Sequence, residues 1–414
     1  MSKDWKKNIV LFLLSQTVSL FGTSLVQYAI MWHITLETQS GLMMTISIIC
    51  GFLPIFVLSP FAGVWADRYN RKNLIAMADS FIAVSTLILA ILFYLGYDSI
   101  WLLFAASSIR AFGSGVQSPA VNAFIPQLVP EDKLTKVNAT NGSIQSMVTL
   151  LSPMVSGALL TLTSIEVIFM IDVVTAAVAV AILVLFLRAE PHAKALEKQE
   201  SSYFKDMSDG INYIKEHGFL KVYFVFMAMF HVLLTPAAFL TPLQTARSFG
   251  DDVWRLTVLE VVFSVGMILG GITMASWGGF KNKIHTMGFA CIVMGLCTVA
   301  LGIVPNFWVY IFFMGLFGVT MPLLNTPAMV LLQEKIEGNY MGRVFSVLGM
   351  ITSIMMPFGM LVFGPLSDVV RIEFLLLGTG ALIVVLSMFF IKSKVLIEAG
   401  KHVEPEILEG GDIN

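Results

Sequence analysis

Four charged residues interrupt long apolar segments, where a charge is costly. Arg110 lies in "LFAASSIRAFGSG", Glu260 in "TVLEVVFSVGMILGG", Asp172 in "VIFMIDVVTAA" and Asp79 in "IAMADSFIAV". A charge at the centre of a bilayer costs about 2.5–3.5 kcal/mol on insertion scales, so each must face protein or water. Burial disfavours a charged carboxylate, so that a buried acid can bind and release a proton. These residues predict proton or cation chemistry inside a membrane.

The composition indicates that lipid surrounds most of the chain. Of its 414 residues, 57% are hydrophobic and 13% are charged, and the mean hydropathy is +0.84. A soluble domain carries roughly 25% charged residues, so this chain has too few to cover a surface in water. The net charge of −2 and the absence of a basic tail argue against nucleic acid as a partner.

Twelve apolar segments are long enough to cross a bilayer, which requires about 20 residues. They lie near residues 8–36, 41–66, 73–95, 100–127, 137–163, 164–188, 219–246, 254–278, 284–304, 307–332, 341–368 and 372–392. The longest polar stretch separates the sixth from the seventh. The predicted fold is an all-α membrane protein with two six-helix bundles, residues 1–190 and 219–392, a linker at 191–218 and a tail at 393–414.

The two halves also share short sequence patterns. "SPA" in span four matches "TPA" in span ten, and Pro153 in span five corresponds to Pro357 in span eleven. Two matches in order on equivalent spans indicate a duplicated six-helix unit. Transporters built from such repeats usually hold their substrate between the halves, near the middle of the membrane.

The basic residues predict the orientation of the spans. All lysines and arginines except Arg110, Arg247, Arg255 and Arg371 lie in the N-terminus, the even-numbered loops, the linker, the C-terminus or the membrane edges beside them. The positive-inside rule therefore places both termini and the linker in the cytoplasm. We expect a multi-pass protein of the plasma membrane, or inner membrane, of a bacterium.

The loop after span two, "GVWADRYNRKN", concentrates charge in an otherwise apolar region. It resembles the loop signature of the major facilitator superfamily, whose positions are filled by Gly63, Ala66, Asp67, Arg68, Arg71 and Lys72. The resemblance implies that Asp67 holds the two bundles together in the outward-facing state and that the bases support it. The alternative is that these charges only anchor the loop at the membrane surface.

Two further motifs resemble those of the same superfamily. Arg110, followed by Gly113 and Gly115, matches a span-four motif, and this implies a role in proton transfer. The alternative is a structural arginine bound to backbone carbonyls. In span five, the small residues of the antiporter motif correspond to Ser152, Pro153, Ser156 and Gly157. That motif is typical of exporters, and two of its glycines are serine here.

Three acids are candidates for carrying the proton. In this fold span eight flanks the cavity, so Glu260 is the preferred candidate and can also attract a cationic substrate. Spans three and six belong to the outer scaffold, which favours structural roles for Asp79 and Asp172.

Polar residues predict the lining of the substrate cavity. Gln16, Ser19, Thr23 and Gln27 lie on one face of span one, which faces either the cavity or a close helix contact. Further candidates are Gln117, Asn122, His231 and Asn325. For His231, a buried histidine that satisfies its own hydrogen bonds is the alternative.

Several longer segments, including "SQTVSLFGTSLVQYAIMWHITLETQSG", resemble the macrolide-efflux branch of drug:proton antiporters. The resemblance implies a monomeric secondary exporter that exchanges a small lipophilic compound for protons. An exporter of an endogenous lipid or siderophore, and a non-transporting receptor with the same fold, are the alternatives. No nucleotide-binding, metalloprotease or hydrolase motif is present, so we expect no enzyme, no cofactor and no metal.

Overall fold

The computed structural model describes residues 5–187 and 203–401, and this part of the chain forms helices and no strand. The helices are α1 Trp5–Thr38, α2 Gly41–Arg68, α3 Arg71–Tyr94, α4 Ile100–Leu128, α5 Leu134–Leu162, α6 Ile165–Ala181, α7 Tyr203–Glu216, α8 Gly218–Thr235, α9 Thr241–Phe249, α10 Val253–Trp277, α11 Lys283–Ile303, α12 Phe307–Lys335, α13 Gly338–Val369, α14 Ile372–Lys392 and α15 Lys394–Ala399. Below, the membrane face that is predicted to be cytoplasmic is called the inner face.

The helices begin and end at residues suited to the membrane surface. The side chains of Ser40, Asn70 and Asn282 accept hydrogen bonds from backbone N–H groups in the first turns of α2, α3 and α11, which satisfies donors that have no partner within the helix. Gly278 ends α10 with a φ of +73°, a conformation that glycine adopts without steric cost.

Within residues 5–187 and 203–401, eleven helical segments are long and apolar enough to span a membrane. The sixth and seventh of the twelve predicted spans each include a short π-helical segment, Ile182–Phe186 and Pro236–Leu240. Helix α4 is not among the eleven, because Arg110 and nearby polar residues lower its hydropathy. It nevertheless has 29 residues and packs along α2 and α3, so it completes the first bundle.

The packing within the two bundles follows one scheme. In the first bundle α2 packs on α4, α3 packs on α4 and α6, and α1 packs on α5. In the second bundle the corresponding pairs are α10 with α12, α11 with α12 and α14, and α8 with α13. This correspondence confirms the predicted pair of pseudo-symmetric bundles.

The apolar core is divided in the first bundle and continuous in the second. One cluster of the first bundle surrounds Leu25 and Phe169, and another surrounds Phe12 and Phe124 nearer the inner face. Between these clusters lie three buried charged residues, Asp79 of α3, Arg110 of α4 and Asp172 of α6. We call these three residues, together with the residues of α1, α3 and α4 that bind them, the polar layer. In the second bundle a single cluster extends through all the transmembrane helices.

The two bundles contact each other near the outer face. Thr45 of α2 donates a hydrogen bond to the carbonyl of Met360 of α13 at 3.1 Å, and Gly157 of α5 lies against Thr257 of α10. Toward the inner face, a Cβ placed on Gly63 or on any of several glycines of α5, α10 and α13 would meet no heavy atom within 4 Å. The hydrogen bonds that join the two bundles in the described part of the chain also lie toward the outer ends of the helices, so the seam is closed at the outer face and open at the inner face.

The end of the predicted linker forms α7, which packs on α13. Tyr213 stacks on Tyr340 with ring centroids 4.4 Å apart, and Asp209 lies 4.0 Å from Arg343. The predicted segment boundaries stay a prediction, because residues 188–202 and 402–414 lie outside the described part.

Candidate functional site

The central feature of the polar layer is an ion pair between α4 and α6. Nη1 of Arg110 lies 2.5 Å from Oδ2 of Asp172, and both side chains are almost completely buried. The hydroxyl of Thr86 on α3 donates to the same carboxylate oxygen at 3.0 Å and also contacts the guanidinium. Nη2 of Arg110 donates to the carbonyl of Thr23 on α1 at 3.2 Å. Arg110 thus binds both a carboxylate and a backbone carbonyl.

The second carboxylate of the polar layer has no cation beside it. Oδ1 of Asp79 accepts hydrogen bonds from Ser19 of α1 at 2.8 Å and from Nε2 of Gln117 of α4 at 2.6 Å. Asp79 is 1% exposed, and its buried Oδ2 atom has no hydrogen-bond partner in the described part of the chain. The polar layer therefore contains two acids and one base, Arg110, and Arg110 is already paired with Asp172.

Helix α1 connects the two carboxylate sites. Ser19 and Thr23 lie one helical turn apart and contact Asp79 and Arg110, respectively. Gly22 lies between them, and a Cβ there would lie 3.0 Å from Oδ1 of Asp172. The glycine allows α1 to approach α6 closely, so a movement of α1 would affect both sites.

Glu260 is placed differently from the acids of the polar layer. It is partly exposed, and no residue in the described ranges forms a hydrogen bond or ion pair with it. It lies close enough to Tyr28 of α1 for an electrostatic interaction. An acid of the second bundle thus lies within electrostatic range of a tyrosine of the first bundle.

Five of the residues predicted to line the cavity separate into two groups, one exposed and one hydrogen-bonded within the first or second bundle. Gln27, Asn122 and Asn325 are exposed, and a side-chain amide in the membrane requires water or protein as a partner. Gln117 instead binds Asp79, and Nδ1 of His231 contacts the carbonyl of Met227 one turn away.

Gln16 is partly buried, and its Nε2 atom has no partner among the described residues.

The four residues of the span-five motif pack tightly. Ser152, Pro153, Ser156 and Gly157 are all buried. Ser156 donates to the carbonyl of Leu25 of α1 at 3.1 Å, and a Cβ at Gly157 would lie 1.9 Å from Oγ1 of Thr257. These small residues bring α5 close to α1 and to α10 of the other bundle.

The charged loop is tied to the first bundle through its bases. Arg71 donates to the carbonyls of Ala66 and Ala123, each at 2.9 Å. Lys72 donates to the carbonyls of Val184 and Leu187 at the end of span six. Arg68 is exposed, and the side chain of Asp67 lies outside the described part of the structure.

Sequence reasoning missed three residues that the structure places at the seam. Tyr28 lies within electrostatic range of Glu260, and Arg247 pairs with Asp368 at the outer face, with Nη2 and Oδ1 2.7 Å apart. A cavity of about 610 Å³ adjoins Arg247 on the outer side of the second bundle and contains none of the predicted site residues. An acid at the end of predicted span eleven was the available signal for Asp368.

These features define a membrane protein with two repeated bundles, a seam that is open at one face, and buried charges beside it. The model of the Major Facilitator Superfamily matches residues 12–360, and the chain belongs to this superfamily. It is a multi-pass membrane transporter, as the resemblance in the charged loop predicted.

Two relatives and one solved structure are similar over most of the chain. Macrolide efflux protein A of Streptococcus pyogenes is 28% identical over 387 residues, 93% of this chain and 95% of the relative. The protein of the same name from Enterococcus faecalis is 29% identical over 323 residues, 78% of this chain and 99% of the relative. The nucleoside transporter NupG shares the fold, with a TM-score of 0.66 and 15% identity over 94% of this chain and 98% of its own.

Proposed function

We propose that this transporter exports small amphipathic compounds, macrolides foremost, in exchange for protons. The similarity to two macrolide efflux proteins supports the substrate class, and the small residues of span five support export. In the proposed orientation the inner face is cytoplasmic, so the seam described above is open to the cytoplasm. A drug then enters from the cytoplasm or from the inner leaflet.

The observation that carries the proposal of proton exchange is the uncompensated carboxylate of Asp79. Arg110 is held by Asp172, so it does not neutralise Asp79, whose Oδ2 atom has no partner. An unpaired charge in a buried site is costly, and binding of a proton removes it. Ser19 and Gln117 hold the other oxygen in place, and Ser19 connects the site to α1.

Glu260 is the proposed point of competition between substrate and proton. Because it has no partner among the described residues and is partly exposed, a cationic drug can pair with it when it is deprotonated. Proton binding removes that attraction and releases the drug. One proton that moves down 100 mV supplies about 2.3 kcal/mol, enough for a drug gradient of about fiftyfold at roughly 1.4 kcal/mol per decade.

The charged loop is the proposed inner latch. Arg71 and Lys72 bind the loop to α2, α4 and the end of span six. These contacts hold the loop that carries Asp67 in a fixed position on the first bundle. In the outward-facing state, we propose, Asp67 binds the start of α13 and closes the inner seam.

Proteoliposomes with a trapped pH indicator test the proposal. Wild type is challenged with macrolides and cationic dyes and compared with Asp79→Asn, Glu260→Gln and a control, Asp251→Asn, in the exposed loop before α10. We expect substrate-dependent proton flux in wild type and control, and a loss of at least tenfold in Asp79→Asn and in Glu260→Gln.

Other outcomes would redirect or overturn the proposal. Flux with lysophospholipids or a siderophore but not with drugs would replace the substrate class and keep the exchange. Drug transport without proton flux would refute proton exchange. The absence of transport with every compound would favour a non-transporting receptor.

A further inference from the structure

The outer end of α13 binds the outer end of α2 through one carboxylate. Oδ1 of Asp368 accepts a hydrogen bond from the backbone N–H of Gly41 at 2.7 Å, and Oδ2 accepts from the N–H of Leu42 at 2.9 Å. The hydroxyl of Ser40 donates to Oδ2 at 2.8 Å. A carboxylate of the second bundle thus caps the first turn of a helix in the first bundle, where the helix dipole favours an anion.

Arg247 of α9 reinforces the contact from the second bundle. Its guanidinium pairs with Oδ1 of Asp368 at 2.7 Å and donates to the carbonyl of Ser367 at 2.7 Å. The same guanidinium donates to the carbonyl of Gln39 through Nε at 3.0 Å. Gln39 precedes α2, so Arg247 also bridges the two bundles.

The helices below this contact touch backbone to backbone. A Cβ on Gly41 would lie 2.2 Å from the carbonyl oxygen of Gly364, and a Cβ on Gly364 would lie 2.8 Å from that of Gly41. Neither position therefore accepts a larger side chain without separating the helices.

The sequence around Asp368 repeats the pattern around Asp67. "GVWAD" at 63–67 and "GPLSD" at 364–368 both contain glycine, two variable residues, a small residue and aspartate. Each aspartate is the last residue but one of its helix, α2 or α13. The two helices are antiparallel, so each aspartate lies at the membrane level where the other helix begins.

We propose that Asp368 and Arg247 form an outer latch, reciprocal to the inner latch at Asp67. The outer latch is closed in the inward-open state described here and must break before the outer seam opens. The inner latch then closes on the start of α13. This inference rests on alternating access in the proposed function, but not on the drug or the proton as substrates.

Distances between spin labels at the outer ends test the latch directly. Labels at Leu162 of α5 and Ile303 of α11, which are 80% and 65% exposed, report the outer separation of the bundles once the three native cysteines are replaced by alanine. Measurements are made without drug and without a proton gradient. We expect Asp368→Asn to raise the ratio of outer-open to outer-closed molecules about tenfold, as expected for the loss of charge-assisted hydrogen bonds.

Glu373→Gln is the matched control. Glu373 also lies at the outer face, but its partners Ser248 and Arg371 belong to the same bundle, so the ratio should equal that of wild type. Arg247→Gln is a second variant and should shift the ratio in the same direction as Asp368→Asn. Asp67→Asn should shift it in the opposite direction, and the Asp67→Asn/Asp368→Asn double variant should return toward wild type.

The latch is refuted if Asp368→Asn and Arg247→Gln both leave the ratio at the wild-type value, or if Asp67→Asn shifts it in the same direction as Asp368→Asn. A failure of drug export or of proton exchange appears only in the proteoliposome assay. The distance measurements contain neither substrate nor gradient, so the two failures are distinguishable.

Discussion

The two bundles share a packing scheme but differ in what they bury. The charged residues that are fully buried in the described ranges, Asp79, Arg110 and Asp172, all belong to the first bundle, where they separate two apolar clusters. The second bundle has one continuous cluster, and the polar contacts inside it join uncharged groups, as when Gln244 accepts a hydrogen bond from Tyr310.

This difference indicates that the buried charges of the first bundle and the continuous apolar core of the second have different roles. A buried ion pair adds little to stability compared with a well-packed apolar replacement, because desolvation opposes the attraction between the charges. The stability of the fold therefore does not explain the polar layer, whereas the proposed exchange of protons would give it a role.

The largest effect is expected from breaking the ion pair on one side. Arg110→Ala leaves Asp172 charged and buried, so we expect the free energy of unfolding to fall by about 3–5 kcal/mol. Titration of the detergent-solubilised protein with sodium dodecyl sulfate, followed by tryptophan fluorescence, measures this. The Arg110→Ala/Asp172→Asn double variant should recover much of the loss. If it is no more stable than Arg110→Ala, the pairing does not determine the stability of the first bundle.

A smaller effect is expected where the second bundle depends on shape. A Cβ on Gly266 of α10 would lie 2.2 Å from the carbonyl oxygen of Gly315 of α12, so Gly266→Ala should cost about 1–3 kcal/mol through overpacking. Gly271 of the same helix has no heavy atom within 4 Å of a Cβ and provides the matched control. Equal titration midpoints for the two variants would contradict this account of the second bundle.

A single buried hydrogen bond of the first bundle should contribute less. Ser156→Ala removes the donor to the carbonyl of Leu25, and we expect a loss of about 0.5–1.5 kcal/mol in the same titration. Thr149→Ala is the control, because Thr149 is exposed and binds only a carbonyl of its own helix. If Thr149→Ala lowers the free energy of unfolding as much as Ser156→Ala does, the hydrogen bond between α5 and α1 contributes no more to stability than one within a single helix.

The smallest effect on stability is expected at Glu260. Because no described residue pairs with it, Glu260→Gln should leave the free energy of unfolding within about 0.5 kcal/mol of wild type. The affinity for a cationic dye should nevertheless fall, as measured by fluorescence polarisation. A large loss of stability would assign Glu260 to the core of the second bundle and remove it from the substrate site.

Hydropathy and repeats were sufficient to predict the helices and the two bundles, because both depend on segment length and composition. They also identified Arg110, Asp172 and Asp79 as buried charges. The pairing of Arg110 with Asp172 was not predictable, since the residues are 62 positions apart and no local pattern indicates which helix faces oppose each other. The preference for a structural role of Asp79, one of the three candidate proton carriers, took no account of an oxygen that has no partner among the described residues.

The outer contact was missed for a different reason. Arg247 was noted only as a base on the minority side of the membrane, and charges at membrane edges are usually explained as anchors. Recognition of the contact requires knowledge that α2 and α13 meet, which follows from the arrangement of the bundles and not from the composition of either helix.

The ion pair of the first bundle also constrains how the protein is made. Arg110 enters the membrane with the fourth span, whereas Asp172 arrives only with the sixth, 62 residues later. At about 5–20 residues per second, synthesis of that interval takes about 3–12 s. During this time the nascent chain carries an unmatched arginine beside the insertion machinery. A ribosome that stalls before residue 172 therefore leaves a product in which Arg110 lacks the carboxylate that pairs with it in the folded protein.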